Sequence, residues 1–238
     1  MTSFKFPRRL TAAADMVLPD APAADIGSDH MHLPVYLIKQ GICPYVIATD
    51  KAASPCINGA AYISSLGLAD KIDIRCGDGL AVLKPGEAAT IIITGMGGCL
   101  IKSILAAAPK VAASGKRLVL SPQKNPDVLR YFLAETGWRI VEEKMVKEDD
   151  IWYPLIAAQR GRMKLNAAEA EFGPYLLAQG TPEFRHYLQH KTDVLSALIR
   201  QLTALESTGC SHRIRDLQAE RLRILNIMEG IASDQTRI

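Results

Sequence analysis

The sequence has no hydrophobic run long enough to cross a membrane. No apolar stretch reaches the roughly 18 to 20 residues that a bilayer span requires. The N-terminal stretch MTSFKFPRRL also lacks the continuous apolar segment of a secretory signal peptide. Together these absences predict a cytoplasmic protein that has no membrane partner.

Cysteine is scarce and irregularly placed. The five cysteines are Cys43, Cys56, Cys76, Cys99 and Cys210. Their number is odd, and no pair has the CxxC spacing of zinc sites and redox proteins. The pattern argues against a disulfide framework and against a zinc site, so we expect all five thiols to be reduced.

A large charge of either sign is also absent. The 28 basic and 25 acidic side chains leave a formal net charge of +3, and 48% of the residues are hydrophobic, which is typical of a globular protein. From residue 164 onward nine basic side chains balance nine acidic ones, so the whole basic excess lies in the first 163 residues. If a nucleic acid binds, we expect phosphate contacts at least partly from that region.

The first 162 residues alternate short β-branched apolar runs with helical stretches. This pattern is typical of βαβ units and a mainly parallel sheet. The predicted parallel strands span residues 23–26, 45–48, 72–75, 90–93 and 117–120. Two further runs, WRIVEEKMV and IWYPLIAAQ, are separated by the polar turn KEDD and predict an antiparallel hairpin at the sheet edge. We therefore predict an α/β domain with a doubly wound sheet over residues 1–162.

A helical domain is predicted for residues 163–238. After a break at residues 180–182, apolar side chains recur every three or four residues and form one stripe of a long helix, comprising Phe184, Tyr187, Leu188, Val194, Leu195, Leu198, Leu202 and Leu205. Beyond a predicted turn at residues 207–211, a second stripe comprises Ile214, Leu217, Ile224, Leu225, Met228 and Ile231. We expect an antiparallel coiled-coil hairpin, which either stabilises the first domain or grips a large substrate.

Candidate functional residues stand at the end of the first predicted strand. The strand runs into AADIGSDH, which places Asp25, Gly27, Ser28, Asp29 and His30 directly before a helix. A glycine-bearing turn at this point is where a doubly wound sheet holds a nucleotide-like ligand. The G-x-G-x-x-G fingerprint is missing, so the turn offers no glycine-lined approach for a pyrophosphate and an NAD or FAD enzyme is disfavoured.

The next three strands end in comparable signals. Asp50 follows the second strand, where its carboxylate can accept hydrogen bonds from both ribose hydroxyls. Asp78 stands between Gly77 and Gly79, where an acid can accept from an adenine amino group while the glycines admit the ring. The fourth strand ends in TGMGG, residues 94–98, whose bare backbone lets a ligand and a substrate approach one another. The constellation predicts S-adenosylmethionine binding, although each residue taken singly could instead cap a helix or make a turn.

Several motifs occur together in this chain: RRLTAAADMV, ADIGSDHMHLPVYLI, CGDGLAVL and ITGMGGCLI, followed by EFGPYLL and the helical tail. In this combination they resemble the bacterial tRNA adenine-22 N1-methyltransferases over nearly the whole chain. The resemblance implies a Rossmann-like class I methyltransferase domain with a C-terminal coiled coil, acting on an adenine in the D-arm region of tRNA. The predicted cofactor-binding set is Asp25, Gly27, Ser28, His30, Asp50, Lys51, Gly77, Asp78, Gly79, Gly95, Met96 and Gly97.

Binding of an RNA substrate needs further contacts, because the target base must be unstacked at a cost of about a few kcal/mol. Lys5, Arg8 and Arg9, just ahead of the first helix, are predicted to contact phosphates. The resemblance makes Gln123 and Asn125 candidate contacts for the target base, although this chain has SPQKN where the family's fifth strand often ends in a QPN-like sequence. Candidate stacking partners are Tyr36, Trp152 and Tyr153, although such aromatics more often belong to the core.

Methyl transfer from a sulfonium is an in-line displacement, so the protein chiefly has to hold donor and acceptor in line. The adenine ring nitrogen already carries a lone pair, and the methylated base is formed as a cation. We therefore assign to Asp29 the catalytic role of stabilising that charge and then accepting a proton; helix capping or a contact to the cofactor amine is the alternative. His30 and His32 are expected to point to different faces with no third ligand nearby, so no metal is predicted.

Three functions stay open on the sequence. The first is methylation of adenine 22 in tRNA by a monomeric enzyme. The second is a methyltransferase for another RNA or for a small molecule, which would not need an electropositive RNA-binding surface. The third is a non-catalytic RNA-binding or scaffolding protein with a vestigial cofactor site, which the intact acids Asp50 and Asp78 disfavour.

Overall fold

A computed structural model describes residues 6–204 and 211–235 of the chain. Lys5 and most of the predicted turn at residues 207–211 lie outside this range. The chain divides into two compact units, the first ending at Gly173 and the second beginning at Pro174. In the described part, no helix is both long enough and apolar enough to cross a membrane.

The first unit contains seven strands, numbered in chain order as β1 (Ala23–Ile26), β2 (Val46–Asp50), β3 (Ile72–Cys76), β4 (Thr90–Met96), β5 (Arg117–Pro122), β6 (Trp138–Glu148) and β7 (Ile151–Arg160). They form one sheet in the order β3-β2-β1-β4-β5-β7-β6. The first five strands are parallel, and β7 and β6 run antiparallel at one edge. The predicted doubly wound sheet with an antiparallel edge hairpin is confirmed. The strand order reverses between β1 and β4, where such folds open a ligand crevice.

Helices cover both faces of this sheet. They are α1 (Arg8–Ala14), α2 (His32–Lys39), α3 (Ala53–Ser65), α4 (Gly98–Ala107), α5 (Pro109–Ser114), α6 (Pro126–Glu135) and α7 (Ala167–Phe172), with a short 3-10 helix at Gly79–Val82. One core cluster joins apolar side chains of α1 and α2, such as Ala13 and Leu37, to strand residues such as Val46 and Ile92. The central run of β4 is buried on both sides, as expected of a strand between two helical layers.

The first unit extends past the boundary predicted after residue 162. Arg130 of α6 is buried, and its Nε donates to Oε1 of Glu143 on β6 at 2.8 Å. Its Nη1 donates to the carbonyls of Ala170 and Glu171, each at 2.9 Å. A buried ion pair is tolerated only when its hydrogen bonds are made, so these bonds fix α7 to the sheet. The division therefore falls after α7.

The second unit consists of α8 (Pro174–Gln179), α9 (Pro182–Ala204) and α10 (Ser211–Gln235). The two long helices pack antiparallel, because Gly180 just before α9 lies against Ile231 near the end of α10. The described members of the predicted stripes are largely buried or half-buried, and Leu205 lies outside the described residues. Val194 is an error in the first stripe: its side chain is 52% exposed, and Thr192 takes a buried position instead.

The expectation that all cysteines are reduced is wrong for one pair. Cys56 and Cys76 form a disulfide, with their Cα atoms 6.0 Å apart. Cys76 ends β3 and is paired with Asp50 at the end of β2, while Cys56 lies in the first turn of α3, which follows β2. The β2-α3-β3 crossover therefore brings the two sulfurs together, which short spacing motifs do not reveal. Cys43 and Cys99 are free thiols.

Candidate functional site

Two adjoining cavities open at the carboxyl ends of the parallel strands. The first, the His30 cavity, has a volume of about 300 Å³ and lies between the turn after β1, the end of β4 and the N-terminal helix α1. The second, the Asp78 cavity, has a volume of about 290 Å³ and lies over the ends of β2 and β3. Gly27 and Met96 line both cavities. An elongated ligand can therefore extend from one cavity into the other.

Glycine is required at this junction. Gly27 has a φ of +80°, which favours glycine over any residue with a Cβ, and an added Cβ would also displace the end of the Met96 side chain. Gly95 has a φ of +78°, and the pairing of β4 with β5 shifts register between Thr94 and Met96. This irregular backbone lines the His30 cavity and leaves it free of bulky side chains on that side.

The acids of the His30 cavity stand in contrasting environments. Asp25 is 5% exposed, and burial raises its pKa to about 6, although a hydrogen bond with Ser28 acts in the opposite direction. The side chain of Asp29 is 66% exposed, and its Oδ2 lies 3.2 Å from Nε2 of His30. The carboxyl group of Asp25 therefore protonates near pH 6. The carboxyl group of Asp29 is open to an incoming molecule.

The two histidines lie on the same cavity, and the expectation that they point to different faces is wrong. Their ring centroids are 5.6 Å apart. The helical argument fails because α2 begins only at His32, after Met31 with a φ of +55°. Burial, then His30 and then Arg9 lower the pKa of His32. Within residues 6–204 and 211–235, no three His, Cys, Asp or Glu side chains are grouped to hold a metal ion.

The Asp78 cavity combines carboxylates with an apolar wall. One oxygen of Asp50 accepts the backbone N–H of Ala52 at 2.9 Å, which orients the carboxylate at the end of β2. Lys51 Nζ lies 2.7 Å from Oδ2 of Asp78. The hydroxyl of Thr49 is buried without a hydrogen-bond partner among the described residues. Acceptors for hydroxyl and amino groups beside aliphatic side chains fit the ribose and purine of an adenosine.

The structure brings most of the predicted cofactor residues to these cavities. The His30 cavity is lined by Asp25, Gly27, Ser28, Asp29, His30, Gly95 and Met96 together with Arg9 and Gln123, and the Asp78 cavity by Asp50, Lys51, Gly77, Asp78 and Gly79. Three predicted residues lie elsewhere: Gly97 and Asn125 precede α4 and α6, and Arg8 lines a separate surface cavity with Thr11 and Asp15. The roles assigned to individual residues stay predictions.

Sequence reasoning missed several lining residues. Thr49, Leu100 and Ile104 line the Asp78 cavity. Leu100 and Ile104 are four residues apart on α4, directly after the TGMGG turn, so they share one helical face. That spacing was a usable signal for the apolar wall. Thr49 had no such signal, because an isolated threonine in a strand is ordinary.

Comparisons with known proteins agree with this geometry. A family model described as a methyltransferase domain matches residues 6–156. The tRNA (adenine(22)-N(1))-methyltransferase of Bacillus subtilis (strain 168) is 34% identical over 233 residues, which cover 94% of this chain and 97% of that protein. The crystal structure of the B. subtilis m1A22 tRNA methyltransferase superposes with a TM-score of 0.81 at 27% identity, covering 95% of this chain and 100% of that one.

A second solved structure contains a ligand. It is a candidate tRNA (m1A22) methyltransferase of Streptococcus pneumoniae in complex with S-adenosyl-L-methionine. It superposes with a TM-score of 0.80 at 29% identity and covers 96% of this chain and 99% of that one. From the identity and coverage of these relatives, the chain belongs to the bacterial tRNA (adenine-22-N1)-methyltransferase family.

Proposed function

We propose that this protein transfers the methyl group of S-adenosylmethionine to N1 of adenine 22 in tRNA. The observation that carries the proposal is the junction of the two cavities at Gly27 and Met96. An adenosine held in the Asp78 cavity directs the remainder of the cofactor toward the His30 cavity, which is open to an incoming base. The names of the relatives support tRNA as the substrate.

S-adenosylmethionine supplies an electrophilic methyl group on a sulfonium sulfur. The lone pair of adenine N1 forms the new N–C bond, and the electron pair of the broken C–S bond stays on sulfur, so the positive charge passes to the base. The protein has to hold both partners in line and to stabilise the charge as it moves. The bare backbone at Gly95 leaves room for the base, and the exposed carboxyl group of Asp29 supplies negative charge beside it.

Asp29 is proposed to stabilise the cationic base and to accept a proton from its amino group. The described start of α2 has no side-chain capping hydrogen bond, so the capping alternative gains no support. We expect Asp29→Asn to lower kcat by about 10²-fold or more and to leave the dissociation constant of the cofactor within about twofold. An unchanged kcat with unchanged cofactor affinity would remove Asp29 from the catalytic step.

The test of the proposed function uses an unmodified bacterial tRNA transcript and methyl-labelled cofactor. Mass spectrometry of the digested RNA should locate the label on N1 of adenine 22, and a transcript with guanine at that position should stay unlabelled. Label at another nucleotide, or only on a small molecule, would support the alternative enzyme. Cofactor binding without transfer to any RNA would contradict the proposal.

The proposal also covers the setting in which the enzyme works. A tRNA substrate implies a cytoplasmic location, and the displacement itself requires neither a metal ion nor a membrane. We expect a monomer, because residues of one chain line both cavities. A dimer mass by light scattering at assay concentrations would contradict this part.

A further inference from the structure

One wall of the His30 cavity is formed by Tyr153 and Arg9. The Tyr153 residue on β7 is 8% exposed. The guanidinium carbon of Arg9 lies 5.3 Å from the centre of the Tyr153 ring, which is within the range of a cation–π contact. Of the three aromatics considered as stacking partners, Tyr153 alone lines this cavity in the described part of the chain; Tyr36 and Trp152 line neither cavity.

Glu148, at the end of β6, holds Arg9 in this position. Its Oε2 pairs with Nη1 of Arg9, and its Oε1 accepts the backbone N–H of Arg8 at 2.6 Å. The Glu148 side chain is 13% exposed and the Arg9 side chain 36%, so the carboxylate is largely shielded from solvent while the guanidinium is partly open to it. A charge-assisted hydrogen bond that is partly shielded is stronger than a fully exposed one. Glu148 is not among the residues that line the His30 cavity. Its contact with the wall of that cavity is the ion pair with Arg9.

We propose that Tyr153 and Arg9 form the surface on which the acceptor adenine stacks, and that Glu148 is the positioning residue that keeps Arg9 there. The inference rests on the proposed function, since it concerns the substrate of the same site. Phenol rings and guanidinium planes both stack on bases that have left their helix. Such stacking offsets part of the free energy needed to unstack the target base.

The ion pair between Arg9 and Glu148 also determines the net charge of the cavity wall next to the base. The adenine becomes cationic during methyl transfer, so an unpaired guanidinium against it would oppose the developing charge. The carboxylate of Glu148 compensates the charge of Arg9, which leaves the wall close to neutral. Loss of Glu148 should therefore act mainly on kcat, because the repulsion appears only as the reaction proceeds.

The role of Glu148 is tested by a double-mutant cycle. Glu148→Gln should lower kcat by about tenfold with unchanged cofactor affinity, and the same substitution in an Arg9→Gln background should have no further effect. Arg139→Gln is the control for the positive charge that Arg9→Gln removes, because Arg139 is an exposed residue of the same hairpin and lines neither cavity. An equal loss in both backgrounds would overturn the positioning role.

The stacking role of Tyr153 is tested with tRNA that carries 2-aminopurine at position 22, whose fluorescence is quenched by stacking. Tyr153→Phe keeps a ring, and Tyr153→Leu keeps only apolar volume. Tyr153→Phe should preserve both the quench and the KM for tRNA. Tyr153→Leu should lose the quench and raise the KM for tRNA about tenfold. Tyr131→Ala, at an exposed position on α6 outside both cavities, is the control.

Cofactor binding measured by calorimetry verifies that each variant is folded. If Tyr153→Leu binds the cofactor normally and still quenches 2-aminopurine as the wild type does, the adenine does not stack on Tyr153. The fluorescence result does not depend on turnover. Failure of the stacking inference is therefore distinct from failure of the proposed function, which would appear as a wild type that methylates no tRNA.

Discussion

Protonation of Asp25 should weaken cofactor binding below about pH 6. Burial raises the pKa of this carboxyl from 3.8 to about 6, with a hydrogen bond to Ser28 lowering it in part. A rise of about two units corresponds to about 3 kcal/mol between the two protonation states. This free energy is the cost of the buried negative charge, and a cofactor ammonium placed beside it would recover much of that cost.

The sign of the pH dependence follows from the form of Asp25 that pairs with an ammonium. Only the ionised carboxylate does so, and below its pKa of about 6 binding must first remove a proton. We expect the dissociation constant to rise about tenfold for each pH unit below 6 and to stay flat above it, until the cofactor's own amino group titrates near pH 8. Isothermal titration calorimetry in two buffers with different ionisation enthalpies measures both the affinity and the protons released.

The raised pKa of Asp25 means that its ionised form destabilises the folded protein, whereas an ionised acid in a salt bridge stabilises it. Because the folded pKa is raised, the destabilisation from Asp25 is absent below pH 3.8 and reaches its full size above about pH 6. Asp25→Asn should therefore stabilise the protein against urea at neutral pH by up to about 3 kcal/mol, while weakening cofactor binding and removing its pH dependence.

The control for this substitution is Asp70→Asn, since Asp70 is exposed and lines neither cavity. It should leave both the affinity and its pH profile unchanged. A wild-type affinity that is constant between about pH 5 and 7, or an undiminished slope in Asp25→Asn, would refute the reasoning.

Three further predictions concern stability and cofactor binding. Arg130→Ala should lower the free energy of unfolding by about 3–5 kcal/mol in urea, because it removes the cation that pairs with the buried carboxylate of Glu143, whereas replacing both residues with apolar ones should cost less; an equal cost would contradict this. Asp78→Ala should raise the cofactor dissociation constant about tenfold through loss of an acceptor, and an unchanged constant would remove Asp78 from the site. Reduction of the Cys56–Cys76 disulfide should lower the free energy of unfolding by about 2–4 kcal/mol, and if alkylation before reduction already labels both thiols, the disulfide is absent in solution.

The sequence allowed the sheet and the main site residues to be predicted because both depend on local patterns. Strand β1 spans the predicted residues and carries Asp25 to the His30 cavity, and the turn after it carries Gly27 to the junction of the two cavities. Asp50 and Asp78 were predictable for the same reason: parallel strands bring their carboxyl ends to one edge, so a residue's position at a strand end already indicates its neighbours.

Contacts between residues far apart in the chain could not be predicted in this way. Arg130 and Glu143 are ordinary charges on two separate elements until the fold buries them together. Glu148 is the last residue of β6, next to a polar turn, and its sequence neighbours gave no sign that it meets Arg9. The predicted orientation of the two histidines was wrong because Met31 has a left-handed backbone conformation, so α2 begins only after it. Local periodicity contains no information about such pairings.

The link between Arg9 and Glu148 has a consequence for how the protein is made. The two residues are 139 positions apart, and α1 lies against β5, β6 and β7, which leave the ribosome late. At about 5–20 residues per second, about 7–28 seconds of synthesis separate Arg9 from Glu148. During that interval the apolar side chains of Ala13 in α1 and of Met16 just after it are not yet covered by that edge of the sheet. A nascent chain stopped before β7 should therefore be prone to aggregation, and the wall of the His30 cavity is completed only after the hairpin has been translated.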